Sequence, residues 1–346
     1  MEEKILSDVI PLSSIRTGCY NTALLCAIFR FKRDFRHLML WDAAALDFRD
    51  MRFKMRLLNV FEINELMDGI GLQLQTIQTK PETFSDSVCC CLDEDFPVLT
   101  YLDVFAYSNF PSTYQKKHAE HCIMLFGYER AKKIFHIVDH DYTEDFVYRK
   151  KTASFADMQD SFAAYLTHYH PRTYVETIGT VRHGDFVEIH DTVQKYLCFV
   201  TDPQFVENNQ RAFVTSSDFL NKISCSEREF IAYADQYYIT TNSLLSKRMY
   251  EYQMFSRLFG EKNLMADVLE PLLDRYNFVR SIMYKTKISH VYRSISAEKS
   301  AAAFAEICRY EKQYMDALIL TKKRVDEVKE FDYEKEISLN GSFDVI

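Results

Sequence analysis

Residues 121–139 read HCIMLFGYERAKKIFHIVD. Two apolar runs, His121–Tyr128 and Ile134–Asp139, flank the polar segment Glu129–Lys133. That pattern predicts an antiparallel β-hairpin. Its ends carry the chemistry, because His121 opens the first strand and Asp139 closes the second. With the turn centred near Arg130, the two residues are equidistant from it and face each other, their Cβ atoms about 5 Å apart. A carboxylate beside an imidazole selects its tautomer and supports the imidazolium. The plain alternative is a satisfied His–Asp pair in a sheet. A register slip of one residue pairs His121 with His140, and a slip of two brings in Asp141 as the reserve partner.

Upstream, PVLTYLDV (97–104) reads as a buried strand, followed by a polar and aromatic loop with Asn109, Pro111, Ser112 and Tyr114. Asp103 and Tyr107 either line a cleft or hydrogen-bond this loop. With Tyr114 they are the candidate substrate-binding residues. Further upstream, CYNTALLCAIFRF (19–31) places Leu24, Leu25, Ile28 and Phe29 on one helical stripe, with Thr17 and Gly18 as cap and turn. Cys19 therefore starts a helix, where free amides and the helix dipole stabilise a thiolate. Alone, a cysteine at a helix start is more often structural. Together with the His121–Asp139 hairpin it has the make-up of a nucleophile, base and orienting acid brought together in space. The amide of Cys19 is the natural first oxyanion donor, with a second from the Arg16–Thr17 turn.

The rest of the chain sets the frame. Phe48–Gly71 is charged and helical in pattern, residues 174–200 are read as further strands, and the pattern from Ser226 to Phe331 is helical. Phe304, Ile307, Cys308, Met315, Leu318 and Val325 share the apolar face of the last long helix. The expected fold class is α+β, in two domains divided near Pro171: residues 1–172 and residues 173–346, the latter mixed and then mainly helical.

The 346 residues are 47% hydrophobic with a formal charge of −8, which supports a packed core and excludes a basic nucleic-acid footprint. No apolar run approaches the roughly 18 residues of a membrane span, and the first residues lack signal-peptide character. A cytoplasmic location is the expectation. The nine cysteines include no CxxC pair and are read mainly as buried thiols, Cys89–Cys91 among them. His118, His121, His136 and His140 lie close in sequence, but alternation on strands turns His136 away from His121. Neither a metal nor another cofactor is expected.

Taken together, TGCYNTALLCAIFRF, PVLTYLDVFAYSNFPSTY and HAEHCIMLFGYERAKKIFHIVDHDY resemble the amino-terminal domain of the butirosin biosynthesis protein H family. The likeness covers Ile15 to about Tyr142. It implies a papain-like fold, of the cysteine-protease type, and transfer of an acyl group from a carrier-protein thioester to an amine in natural-product assembly, such as nonribosomal peptide assembly. Carried over, Cys19 accepts the acyl group, His121 is the general base and Asp139 its partner. The implied partners are an acyl or peptidyl carrier protein and a small-molecule amine, with no nucleic acid and no membrane. The chain departs from the pattern at Leu40–Leu57, which lacks glycine where members are usually Gly-rich. No glutamine precedes Cys19 at short range, as one does in papain. The alternatives are a hydrolase of the same fold (peptidase, amidase or thioesterase) and a non-catalytic, partner-binding member.

Overall fold

A computed structural model describes residues 2–12, 18–33, 36–141, 147–169, 173–180, 187–260 and 263–327. The chain forms two compact units. One comprises Met1–Leu38 and Ile63–Phe186, the other Met39–Glu62 and Val187–Ile346. The architecture is mixed: an antiparallel sheet with helices, and a helical C-terminal part. Pro171, the expected boundary, lies outside the described residues.

The first unit contains β1 (Glu3–Ile5), α1 (Cys19–Phe29), the start of the short α2 (Arg36–Met39), α3 (Ile63–Gly69), β4 (Leu72–Gln78), α4 (Phe84–Asp93), β5 (Val98–Asp103), β6 (Glu120–Glu129), β7 (Ile134–His140), β8 (Tyr148–Ser154), α5 (Phe155–His168) and β9 (Tyr174–Thr180). The strand order is β4-β9-β5-β6-β7-β8. β6 is the hub: it pairs with β7 on one edge, and on the other with β5 up to Leu125 and then with β1 from Gly127. Its near-continuous apolar run, buried from His121 to Tyr128, is what a strand covered on both faces requires. Helix α1 packs on β5, β6 and β7, and α5 packs on β5 and β8. Phe84, Phe135, Phe155 and Phe162 join α4, α5 and β7, with ring centroids 4.2–6.3 Å apart.

Two expectations are corrected, both where the chain passes between the units. The stretch read as helical from Phe48 is a hairpin, β2 (Asp42–Arg49) with β3 (Arg52–Asn59), and only Ile63–Gly69 is helix. The hairpin turns on Asp50 and Met51, both at positive φ (52° and 59°). Glycine is the residue that usually advertises such a turn, and here it is absent. The second correction concerns residues 174–200, which supply one strand, β9, and then the helix α6 (Ile189–Val200). Helices α7 (Pro203–Ile223), α8 (Glu227–Phe259), α9 (Leu264–Ser289) and α10 (Ser294–Glu327) complete the second unit.

Phe53 of β3 is fully buried among Phe213, Tyr237 and Phe304. Asn209 of α7 accepts from the Leu46 amide at 2.7 Å and donates to the Ala44 carbonyl at 3.2 Å, closing the free edge of β2. The core of the helices holds a charged network. Arg248 forms a two-pronged bond with Glu311 (2.8 and 2.7 Å) and a further one with Glu251. Tyr276 donates to Glu311 and Tyr314 to Glu251, at 2.8 and 3.0 Å. Among the described residues, no helix is long and apolar enough to cross a membrane.

Gly127 marks the hand-over from β5 to β1. A Cβ there would stand 2.8 Å from the Lys4 carbonyl oxygen and 3.0 Å from the Ile5 Cα, both of them backbone atoms. Gly127→Ala is therefore expected to cost about 1–3 kcal/mol, the usual range for an overpacked site. Chemical denaturation measures it, and an unchanged midpoint would disprove the need for glycine.

Candidate active site

Cys19 is the first residue of α1, and Gly18 is its N-cap in extended conformation, with φ of −61°. Gly18 has no side chain with which to cap this end, and the Tyr20 amide in the first turn bonds the Cys19 thiol. Thr17 and Arg16, expected to complete the cap and the oxyanion donors, lie outside the described residues. His121 lies one residue inside β6 and Asp139 one residue before the end of β7.

The hairpin brings these two together in a different register from the one expected. Met124 pairs with Val138 and Leu125 with Ile137, but beyond an irregularity Gly127 pairs with His136 and Glu129 with Ile134. The turn thus spans 130–133 instead of centring on Arg130. Continuing the register places Ile123, not His121, opposite Asp139. The imidazole reaches its carboxylate diagonally, within the span of cross-strand neighbours, and Nε2 donates to Asp139 Oδ1 at 2.8 Å. Asp141, the reserve, pairs with Arg149 at 2.5 Å.

Asp139 is wholly buried. Its carboxylate also accepts from the Tyr107 hydroxyl at 2.9 Å and from the His140 amide at 2.7 Å. Because Nε2 of His121 is committed to Asp139, Nδ1 is the nitrogen left to face Cys19, and the thiol and imidazole are hydrogen-bonded. Burial acts to raise the Cys19 thiol. The bond to His121, its positive charge, and the amides of Cys122 and Tyr20 outweigh burial, and the thiol stands below its ordinary value. Burial likewise acts to lower His121, but the bonds and negative charges of Asp139 and Cys19 push it up to about 10. Both directions favour a thiolate–imidazolium pair. Cys19 as a residue is half-buried, while Cys26, Cys89, Cys91 and Cys122 are buried; burial pushes Cys26 up to about 12 and Cys91 up to about 11.

The three substrate-binding candidates separate. Asp103 is fully buried and accepts from His118 Nδ1 (2.6 Å) and the amides of Phe105 (3.0 Å) and Ala119 (3.3 Å), so it fastens a loop. Tyr107 is also fully buried; burial and the Asp139 charge hold its phenol well above the ordinary value, which keeps it a donor to that carboxylate. Both therefore stand behind the site instead of lining it. Tyr114 is half-exposed, its hydroxyl accepting from the side-chain Nε2 of Gln115 at 3.3 Å. The four histidines noted in sequence disperse. His121 meets Asp139, His118 meets Asp103, His136 meets Glu129 at 3.1 Å, and His140 packs edge-on against Tyr148.

Two further residues neighbour the site: Phe110, from the aromatic loop that precedes His121, and Tyr148, which went unnoticed in the sequence. Phe110 stands edge-on to the His121 ring, with centroids 5.7 Å apart at 74°. Tyr148, nearly buried on β8, bonds Thr22 of α1 and is pushed up by burial and then by the Cys19 charge. The His140–Tyr148 pairing of β7 with β8 sets its place, but no local motif announces it.

Fold and site together define an α+β protein in which a helix-start cysteine, a strand histidine and a buried aspartate form one hydrogen-bonded chain. Compared with protein-family models and with curated proteins, the sequence matches none.

Two outcomes are expected from this geometry. Iodoacetamide alkylation of Cys19, followed by mass spectrometry, is expected to titrate with a midpoint below the usual thiol range of about 8.5. The thiolate is present above the lowered Cys19 value, and its imidazolium partner persists until pH rises through about 10. A midpoint at or above the ordinary value would remove the ion pair. Tyr107→Phe deletes one donor to a buried carboxylate, a loss of about 1.5–3 kcal/mol of stability, while Cys19 remains alkylatable. Unchanged stability would show that the bond carries no weight.

Proposed function

We propose that the protein is a cysteine-dependent acyltransferase with a papain-like catalytic domain, related to the butirosin biosynthesis protein H family. It moves an acyl group from a carrier-protein or other thioester to an amine. The observation that carries this reading is the Cys19–His121–Asp139 chain of hydrogen bonds, with the thiol lowered and the imidazole raised.

In the first step Cys19 Sγ attacks the thioester carbonyl. The carbon–sulfur bond to the carrier breaks, and the departing thiolate takes the proton from His121. In the second step an amine attacks the Cys19 thioester and gives its proton to His121, and Cys19 leaves as thiolate. Asp139 holds the ring and balances its charge in both steps. The amide of Cys19 at the start of α1 would serve as the first oxyanion donor. Phe110, edge-on to His121, supplies apolar cover that disfavours water as the second nucleophile. A natural-product pathway would supply the carrier and the amine, acting in the cytoplasm.

The test is loading from synthetic acyl N-acetylcysteamine thioesters, followed by intact-protein mass spectrometry. An acyl adduct on Cys19 is expected to persist until an amine is added. Cys19→Ala abolishes loading, His121→Ala nearly does so, and Asp139→Asn slows it by about 10²-fold or more. Rapid loss of the adduct to water, unaffected by amines, would make the protein a hydrolase. No adduct from any thioester or peptide, with Cys19 still alkylatable, would leave a partner-binding role.

A further inference from the structure

Three side chains, from β5, the loop before β6 and α5 of the first unit, converge next to the candidate site without entering its hydrogen-bond chain. Asp103 ends β5, His118 lies two residues before β6, and His168 ends α5. Asp103 pairs with Glu120 on the β5–β6 ladder, one step beyond the pair Leu102–His121. One carboxylate oxygen and one nitrogen from each imidazole all lie within 4.8 Å of one another. The imidazoles lie against each other, centroids 3.7 Å apart, and the far face of His118 stacks on Phe105 at 4.2 Å.

We propose that Asp103, His118 and His168 form a binding site for a divalent transition-metal ion, zinc being the member that fits best. Two imidazoles and one carboxylate are a borderline donor set. That set suits zinc and its neighbours, whereas magnesium and calcium require oxygen ligands throughout. Zinc bonds of about 2.0–2.2 Å in a tetrahedron put ligand atoms about 3.4 Å apart. Asp103 Oδ2 and His118 Nδ1, 2.6 Å apart, therefore open by about 0.8 Å, and no other pair has to close by more than about 1.4 Å, within reach of small turns of two exposed imidazoles. The third ligand is already fixed. Asp103 is fully buried, and its Oδ1 accepts from the Phe105 and Ala119 amides, leaving Oδ2 directed at His118. A ligating carboxylate held by hydrogen bonds on its other oxygen is the usual outer-shell arrangement.

The rival reading is an ordinary His–Asp pair with a second histidine stacked on it. It accounts for His118, but gives His168, exposed at a helix end, little reason to sit in contact with another imidazole. Metal entry requires both imidazoles neutral. The ion takes the place of the proton between Asp103 Oδ2 and His118 Nδ1, and that proton moves to Nε2 of His118. Three protein ligands leave a position for water. The ion then ties both ends of the loop 104–119 to the last turn of α5, and that loop carries Tyr107 and Phe110.

The experiment uses the full chain with Cys19→Ala, which removes the thiolate as a competing zinc ligand, after treatment with a chelator and dialysis. Zinc is titrated calorimetrically, and cobalt(II) is followed by visible absorption. One equivalent at micromolar or tighter affinity is expected, with a cobalt spectrum free of thiolate charge transfer. His168→Ala, an exposed change, and His118→Gln are each expected to weaken binding by at least about tenfold, whereas His136→Ala leaves it unchanged. Absence of an equivalent site, or binding undiminished in a folded His168→Ala variant, would overturn the proposal.

Discussion

The buried carboxylate of Asp139 is the group on which the site depends. Removing a carboxylate from water costs several kcal/mol, and only good hydrogen bonds offset that. Bonds to a charged group are worth about 1.5–3 kcal/mol each, so one partner would not suffice and three come close. The bonds of Asp139 include those from His121 Nε2, the Tyr107 hydroxyl and the His140 amide. Each satisfies the carboxylate, but only the first transmits its effect. By holding Nε2, Asp139 turns the other ring nitrogen toward Cys19 and raises the imidazole, and the raised imidazole in turn lowers the thiol. The reactivity of an atom at the start of α1 is therefore governed by a charge on β7.

Much of this could be read from the sequence, and its gaps have identifiable causes. The apolar runs of β6 and β7 and the stripe of α1 are long and periodic, so both elements and the residues at their ends are legible. The register was not. The turn lies at 130–133, beyond its expected centre at Arg130, and the irregularity between Leu125 and Gly127 then moves the pairing back by only one residue; no residue type there demands either. The partner of His121 survived because a histidine can reach a diagonal neighbour. The β2–β3 hairpin was hidden by a two-residue turn made from Asp50 and Met51 at positive φ, conformations usually assigned to glycine. In α6, by contrast, Ile189, Val193, Tyr196, Leu197 and Val200 are buried at helical spacing. There the signal was present, but it ran directly on from a strand-like segment.

The helices of the second unit solve the same physical problem at larger scale. Arg248, Glu251 and Glu311 are almost completely buried, with Lys247 and Asp42 beside them. A network of this kind adds little net stability compared with apolar packing, yet losing one member leaves a buried charge without compensation, at about 3–5 kcal/mol. Its effect is therefore on specificity. Lys247 reaches both the carboxylate and the backbone carbonyl of Asp42, at 2.5 and 2.8 Å. Thr240 donates to the Phe53 carbonyl at 2.7 Å. These bonds fix where β2 and β3 lie on α8, which apolar contact alone leaves free to slide.

Asp103 repeats the role of Asp139 in the first unit. One carboxylate holds the base, and the other holds the loop around it. Asp103 Oδ1 accepts amides from Phe105 and Ala119, at opposite ends of the loop 104–119, and Val104 donates to the Ala119 carbonyl at 3.0 Å. The closed loop then delivers Tyr107 beneath Asp139 and Phe110 against His121. Both contacts depend on the loop ends staying together, because Tyr107 is held within the loop by its own backbone, its amide donating to the Val104 carbonyl at 3.4 Å and its carbonyl accepting from the Phe110 amide at 3.1 Å. The orientation of His121 thus rests on two buried aspartates on the strands that flank β6, one bonded to it directly and one acting through the loop.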